Sequence, residues 1–321
     1  MLSLFIEKNN KLEQIEDVND FNKIEKNMWI HLAKPTRDDV KAVCDITGLD
    51  NGRLEGALDP EEAAHVDFDG DNLITLDVPV WHDNVCETVP FVIMYNADYF
   101  VTLCNEDTPL INLVLRNKKI EPQKRNRMAI QIMFRITSLY IQSLRKLDRM
   151  TNNLEAKIKT STKNKEIFDL MDINKSLIYL STSLNSNKNV FLKLEKIGEF
   201  KMYEADNDLM DDVLIENNQA IEMCHIHREI LDSMLSAFAS ITSNNLNIVM
   251  KLLAIITLVL ALPTLISSIY GMNVNGLPFH NNRHAFWIII AISVLIAVIG
   301  AVALIKCTNY AIKQKKNKVS K

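Results

Sequence analysis

The chain has 321 residues, 24% of them charged, with a formal net charge of −4. That mild acidity, with basic residues scattered until a lysine-rich C-terminus, offers no surface for nucleic acid. The cysteines, at 44, 86, 104, 224 and 307, are odd in number and lack CxxC spacing, which argues against a disulfide framework or a zinc ribbon and fits reduced thiols.

The opening MLSLFIEKNN has an apolar stretch too short for a signal-peptide core, and no cleavage site follows, so export is not expected. Up to residue 120, runs rich in β-branched and aromatic residues predict strands over 28–32, 73–80, 89–96 and 99–104, and Pro35 precedes a predicted helix over Thr36–Thr47. Residues 1–120 are therefore expected to form a mixed α/β domain. Asp67-Phe68-Asp69-Gly70-Asp71 is like a calcium loop, but its glycine falls too early and Val78 stands where a bidentate Glu belongs, so a turn between strands is expected. No Walker loop, HExxH or GxSxG occurs, and an enzyme is not expected.

Between Pro122 and Pro263 there is no proline, and the only glycine is Gly198, so little interrupts helix formation. Long helices are predicted over 123–158, over 164–197, and from Asp206 to Tyr270 without a stop signal; residues 121–245 are read as a helical stalk. Unbroken, the third would extend on the order of 95 Å. Leu209, Val213, Ala220, Cys224, Leu231, Met234, Phe238 and Ile241 form an apolar seam along it, interrupted by Asn217 and His227. A second stripe is small and polar: Ser233, Ser236, Ser240, Ser243, Asn247, Met250, Ala254, Thr257, Ala261, Thr264 and Ser268. Close helix packing and a water-lined pore both account for such a face. Asp208, Asp212, Glu222 and Glu229 extend the stripe, with Asp206, Asp211 and Glu216 nearby; a solvated face accounts for them when taken alone.

Leu252–Tyr270 and Ala285–Ile305 carry no charge, and each suffices to cross a hydrocarbon core of roughly 30 Å as helix. Lys251 precedes the first, and Lys306, Lys313, Lys315, Lys316, Lys318 and Lys321 follow the second. Positive charge prefers the cytoplasmic side, so both termini are expected in the cytosol and the loop 271–284 outside, at the cell membrane. The boundaries that follow are transmembrane helices at 246–270 and 285–306, and a basic cytosolic tail at 307–321.

The Gly271-Met272-Asn273 tripeptide ends the first span. With Tyr270 before it, with Asn247-Ile248-Val249-Met250-Lys251 and Leu262-Pro263-Thr264-Leu265-Ile266 upstream, and with its place between two terminal spans, the segment resembles the CorA family of magnesium channels. Trp29-Ile30-His31-Leu32 and Ala57-Leu58-Asp59-Pro60-Glu61-Glu62 resemble family segments in the cytosolic domain.

The resemblance implies an α+β homopentameric funnel: α/β domain, stalk helices, an inner ring of first spans and an outer ring of second spans. It implies Mg2+ as the transported ion, driven by membrane potential and gated by intracellular Mg2+, with no organic cofactor. Alternatives are other divalent metals (Co2+, Ni2+, Zn2+) or a non-conducting receptor or scaffold. Gly271, Met272 and Asn273 would form the filter, Gly271 letting the chain leave the helix and Met272 packing to hold the turn. Asn247, Met250, Leu253, Ala254, Thr257, Ala261, Thr264 and Ser268 would line the pore, with Met250 and Leu253 at a hydrophobic constriction. Asp212, with Asp83 as its facing partner, would hold regulatory metal. The outer loop departs from the family's Met-Pro-Glu-Leu: here Val274-Asn275-Gly276-Leu277-Pro278-Phe279 lacks the acid. His280 and His284 in that loop could bind softer metals, or simply be an exposed polar loop. His225 and His227, two apart on a helix, point in different directions and are not expected to share a metal.

Overall fold

The computed structural model describes residues 1–8, 11–15, 21–57, 59, 62–116, 120, 122–158, 165–198, 200, 203–272, 278 and 284–319. It divides into two compact units, Met1–Ser236 and Ala237–Lys321.

The first unit is built on a seven-stranded sheet: β1 (Leu2–Lys8), β2 (Lys11–Gln14), β3 (Trp29–Ala33), β4 (His65–Asp67), β5 (Asn72–His82), β6 (Val85–Tyr95) and β7 (Phe100–Cys104), in the order β2-β1-β3-β7-β6-β5-β4. Among the described residues only β3 and β7 pair in parallel. Alternation along the strands feeds two cores. Ile30, Leu32, Val92, Met94, Val101 and Leu103 meet α1 (Arg37–Thr47) and α2 (Asn51–Gly56) on one face. Trp29, Ile74, Leu76, Phe91, Ile93 and Phe100 meet α3 (Leu110–Leu115), α4 (Arg125–Ile158) and α5 (Lys165–Lys196) on the other. The strand and helix predictions for residues 28–104 hold; β1, β2 and β4, and the short α2 and α3, were not predicted. Thr36 lies just outside α1 as its N-cap, in a capping box with Asp39.

The β5–β6 hairpin outruns its neighbours. β4 pairs only with Leu73–Thr75 and β7 only with Phe91–Tyr95, so Pro79 and Pro90 stand where the flanking ladders have ended and remove no ladder bond. Past the end of β4, the Asn187 side chain of α5 does the work of a strand. Its Oδ1 accepts the Asp77 N–H at 2.9 Å, its Nδ2 donates to the Asp77 carbonyl at 2.8 Å, and the Tyr140 hydroxyl adds a third bond at 3.0 Å. A half-buried backbone pair is thereby satisfied without a neighbouring strand.

The Asp67–Asp71 segment is the turn between β4 and β5, and Arg53 fills it. The guanidinium donates to the carbonyls of Asp67, Asp69 and Asp71 at 3.1, 2.8 and 3.1 Å and pairs with the Asp67 carboxylate at 2.8 Å. Gly70, at φ 96, takes the left-handed conformation the turn needs. The oxygen cage already has a cation, supplied by the chain.

Helix α6 runs Glu204–Tyr270 and α7 Ala285–Val319. The predicted seam is observed in the first unit: Val213, Ala220, Cys224 and Leu231 are buried, with Met210 beside them. Asn217 is also buried, its Nδ2 donating to the Leu184 carbonyl at 3.2 Å, so the polar break in the seam is a hydrogen-bonded helix contact. The seam ends sooner than expected, since Ile241 is exposed.

Candidate functional site

From Leu246 onward α6 is exposed almost all round, and this stretch is long and apolar enough to cross a membrane. Among the described residues α7 adds a shorter apolar run, Phe286–Val302. From Leu246 on, partial burial in α6 falls on Ile255, Val259, Leu262, Pro263, Ile266 and Tyr270, a single face at helical spacing. Leu262 Cδ1 lies 3.1 Å from where a β carbon on Gly300 would stand, so α7 approaches closely because it offers a glycine there. Ser293 and Ala297 continue that small-residue face of α7 as buried or half-buried positions.

The small polar stripe lies elsewhere. At 3.6 residues per turn Thr257, Ala261, Thr264 and Ser268 sit about half a turn from the α7-facing side, and all four are exposed. The Thr257 and Thr264 hydroxyls donate to the carbonyls of Leu253 and Leu260 at 2.8 and 2.9 Å. Their protons are spent on the helix, and the outward lone pairs are left to accept. Asn247, Met250, Leu253 and Ala254 are likewise exposed. Packing within this chain therefore does not use the stripe.

At the far end of α6, the Gly271 amide donates to the carbonyls of Ser267 and Ser268 at 3.0 and 3.2 Å and Met272 N–H to Ile269 at 3.3 Å, a tightened last turn. Met272 is 54% exposed, so it does not hold the turn by packing in the single chain as expected. Asn273 lies outside the described residues, as do Val274–Leu277 and His280; His284 is exposed. The Tyr270 hydroxyl donates to the Pro278 carbonyl at 3.2 Å.

Asp212 is exposed on α6, and Asp83 is exposed at the β5–β6 tip, where φ 53 fits a tight hairpin turn. Among the described residues no three His, Cys, Asp or Glu side chains converge on a point that could hold a metal. Asp208, Asp211, Glu222 and Glu229 are also exposed. Asp206 is different, and the grouping of it with the solvated acids is corrected here. It is 2% exposed, pairs with Arg127 of α4 at 2.7 Å and accepts the Tyr203 N–H at 3.3 Å, which pins the start of α6. The local signal for this was an acid in a helix's first turn; its Arg partner, on another helix, had none. His225 pairs with Glu229 at 3.6 Å and is exposed, whereas His227 turns inward toward Asp148 of α4, so the two imidazoles do diverge.

In the α/β core burial moves an acid and a base in opposite senses. Burial pushes the Asp77 carboxyl up to about 6, only partly offset by the Ser183 hydroxyl. Burial pushes His31 down to about 4, although Thr102 hydrogen-bonds its Nδ1 at 2.9 Å.

Residues 25–306 match the family described as CorA-like Mg2+ transporter protein. A cobalt/magnesium transport protein CorA from Methanocaldococcus jannaschii is 26% identical over 282 residues, covering 85% of this chain and 88% of that one. A magnesium transport protein CorA from Helicobacter pylori is 22% identical over 311 residues, 88% of this chain and 92% of the relative. The solved complete structure of the M. jannaschii CorA magnesium transporter superposes with a TM-score of 0.77 at 22% identity, covering 94% of this chain and 96% of that chain.

Proposed function

This chain belongs to the CorA family of Mg2+ transporters and transports divalent cations, and from that premise we propose that it does so as a pentameric channel whose pore is lined by the exposed stripe of α6. Both α6 and α7 span the membrane in this reading, with the termini in the cytosol and 271–284 outside. One observation carries it: Thr257, Ala261, Thr264 and Ser268 are exposed on the side of α6 away from Leu262 and Gly300. Small and hydroxyl-bearing residues gain little from lipid contact, but around a symmetry axis they face water. Ile215, Ile226 and Ile230, exposed on the stalk part of α6, supply apolar surface for neighbouring copies.

Mg2+ holds octahedral oxygen at about 2.1 Å and sheds water reluctantly. Passage with the inner hydration shell intact avoids that cost, and it needs acceptors that receive hydrogen bonds from the ion's waters. Thr257 and Thr264, whose protons are already donated inward, present such acceptors. The amide oxygen of Asn273 serves the same purpose at the outer mouth. Met250 and Leu253 form the apolar constriction that closes by dewetting. Inward movement of a doubly charged ion gains about 4.6 kcal/mol per 100 mV of inside-negative potential, so no ATP is required. Asp212 and Asp83 are the proposed intracellular Mg2+ contacts, brought near one another only between copies, with Asp211 as the rival ligand one residue from Asp212.

The test is flux into proteoliposomes under imposed voltage. Asn273→Ala should abolish Mg2+ entry while leaving the pentamer intact, and normal flux in an assembled variant would sink the filter assignment. Single cysteines at 257, 261, 264 and 268 should react with a small cationic thiol reagent after the native cysteines are removed, and one at Leu260 should not. The relative that carries cobalt as well as magnesium in its name makes Co2+ the second ion to measure.

A further inference from the structure

Polar side-chain contacts tie α4 to α6 at regular intervals. Arg127 pairs with Asp206 at 2.7 Å, the Ser138 hydroxyl donates to Glu216 at 3.5 Å, and His227 Nδ1 stands 3.7 Å from Asp148 Oδ1. Along both helices these rungs fall three helical turns apart, so α4 and α6 run parallel in one register. The rungs differ in what pH does to them. An Arg–carboxylate pair stays charged and a hydroxyl donating to a carboxylate keeps its proton, whereas an imidazole changes charge between about pH 5 and 8. Of the three, the imidazole rung lies nearest to Ser236, where the first unit ends.

His227 sits where a proton decides its contact. The side chain is 15% exposed and its Nε2 is buried without a partner, so its polar contact is made through Nδ1. At 3.7 Å that contact is longer than a hydrogen bond, and the rung stands open by a few tenths of an ångström. The carboxylate is already oriented: Asn152 Nδ2 donates to Asp148 Oδ2 at 3.3 Å. Other charges around the ring are few. On α6 the residues one turn away on the same face, Met223, Cys224, Ile230 and Leu231, are uncharged, while Arg228 and Glu229 point elsewhere and Glu229 meets His225 at 3.6 Å. On α4 the cations beside Asp148 are Arg145 and Arg149, both exposed. Helix α5 passes antiparallel, its Leu184 and Leu177 carbonyls accepting from Asn217 Nδ2 and Cys224 Sγ at 3.2 Å each. Its ionisable residues at the level of His227 are Asp172 and Lys175, and Lys175 is turned to Glu87 at 3.0 Å. An imidazolium at this position therefore has Asp148 as its counter-charge.

We propose that the His227–Asp148 rung is a proton-operated clamp: a protonated imidazole closes onto the carboxylate and holds α6 against α4, and a neutral one releases the stretch from His227 to Ser236. A neutral ring brings no charge to Asp148, and one of its tautomers turns a lone pair toward the carboxylate. Acid thereby stiffens the part of α6 that leads into its apolar stretch, while the Asp206 and Glu216 rungs hold the earlier part over the same pH range. The clamp does not depend on the pore reading, because both residues lie within Met1–Ser236 and its test reads amide protection.

The experiment is amide hydrogen exchange of the full chain in detergent, read by mass spectrometry at about pH 5.5 and about pH 8, with rates corrected for the intrinsic pH dependence of exchange. In the unaltered chain, peptides covering 227–236 should be about threefold to fivefold better protected at the lower pH, the size expected of a partly shielded ion pair. Peptides covering 206–216 should not change. His227→Gln and Asp148→Asn should each abolish the difference and leave 227–236 at its high-pH protection throughout. Should His227→Gln fail to fold, Asp148→Asn, at a position 43% exposed, carries the test alone. Equal protection of 227–236 at both pH values in the unaltered chain, a difference that survives in either variant, or one of the same size over 206–216 would each overturn the proposal.

Discussion

One helix meets two environments. Along α6 the stretch 206–231 buries Asp206, Met210, Val213, Asn217, Ala220, Cys224 and Leu231, whereas 246–270 leaves Leu246, Ile248, Leu253, Leu258, Leu260 and Leu265 at half exposure or more. The first stretch is stabilised within its own chain, where burying a large aliphatic side chain contributes about 1.5–3 kcal/mol. The second has no comparable cover within the chain, and in the proposed membrane reading its helix depends on internal hydrogen bonds that lipid does not compete for. Helicity is continuous; what stabilises it is not.

The strongest way to break that comparison is a pair of truncations. Phe191→Ala, which empties a fully buried position of α5, should destabilise the first unit by about 3–5 kcal/mol, and Leu260→Ala by less than about 0.5 kcal/mol. Guanidinium unfolding of the full chain in detergent, followed through the fluorescence of buried Trp29 after Trp81→Phe and Trp287→Phe leave it as the one tryptophan, measures both. Equal losses would mean that the exposed half of α6 is coupled to the core after all.

A somewhat smaller effect comes from pH, and it belongs to the α/β unit alone. Asp77 is raised when folded, so its contribution is fully present below the unfolded value near 3.8 and is lost as pH rises to about 6. His31 is depressed when folded, so its contribution is present above 6.5 and is lost as pH falls to about 4. The two slopes oppose and largely cancel between pH 4 and 6. Asp77→Asn should raise stability at pH 7 by about 2–3 kcal/mol and expose the acid-side loss due to His31. His31→Gln should expose the opposite slope. A flat profile in either variant would contradict the assignment of these two groups.

Ile226→Ser sharpens the contrast differently. If neighbouring copies cover the exposed isoleucines of the stalk, each interface should lose about 2 kcal/mol, seen as dissociation on dilution by light scattering, while Trp29-monitored unfolding of the separated chains stays unchanged. The smallest effect is local: Thr36→Ala removes the cap of α1 and should cost about 1 kcal/mol in the same unfolding assay.

The long helices were legible because their cause is local. From Pro122 to Pro263 the chain lacks proline and nearly lacks glycine, and α4, α5 and α6 begin and end within two residues of the predicted bounds. The central strands were legible from β-branched and aromatic runs. The short β2 and β4 were not, because Lys11–Gln14 and His65–Asp67 are strands only by pairing with β1 and β5. For the proposed ion pathway, the stripe and the Gly-Met-Asn position came from sequence; the stripe's exposure away from Leu262 and Gly300 needed coordinates.

The sequence by itself determined which segments are helical, which of them are apolar enough for lipid, and which face of α6 is small and polar, since all three follow from residue type at a fixed helical repeat. Tertiary structure alone decided the partners. Arg53 occupies the turn that looked like a calcium loop, Asn187 completes a strand 110 residues away at Asp77, and Arg127 takes Asp206 out of the solvated acids. Each depends on two side chains far apart in the chain meeting at hydrogen-bond distance, and no local pattern of residues encodes such a meeting.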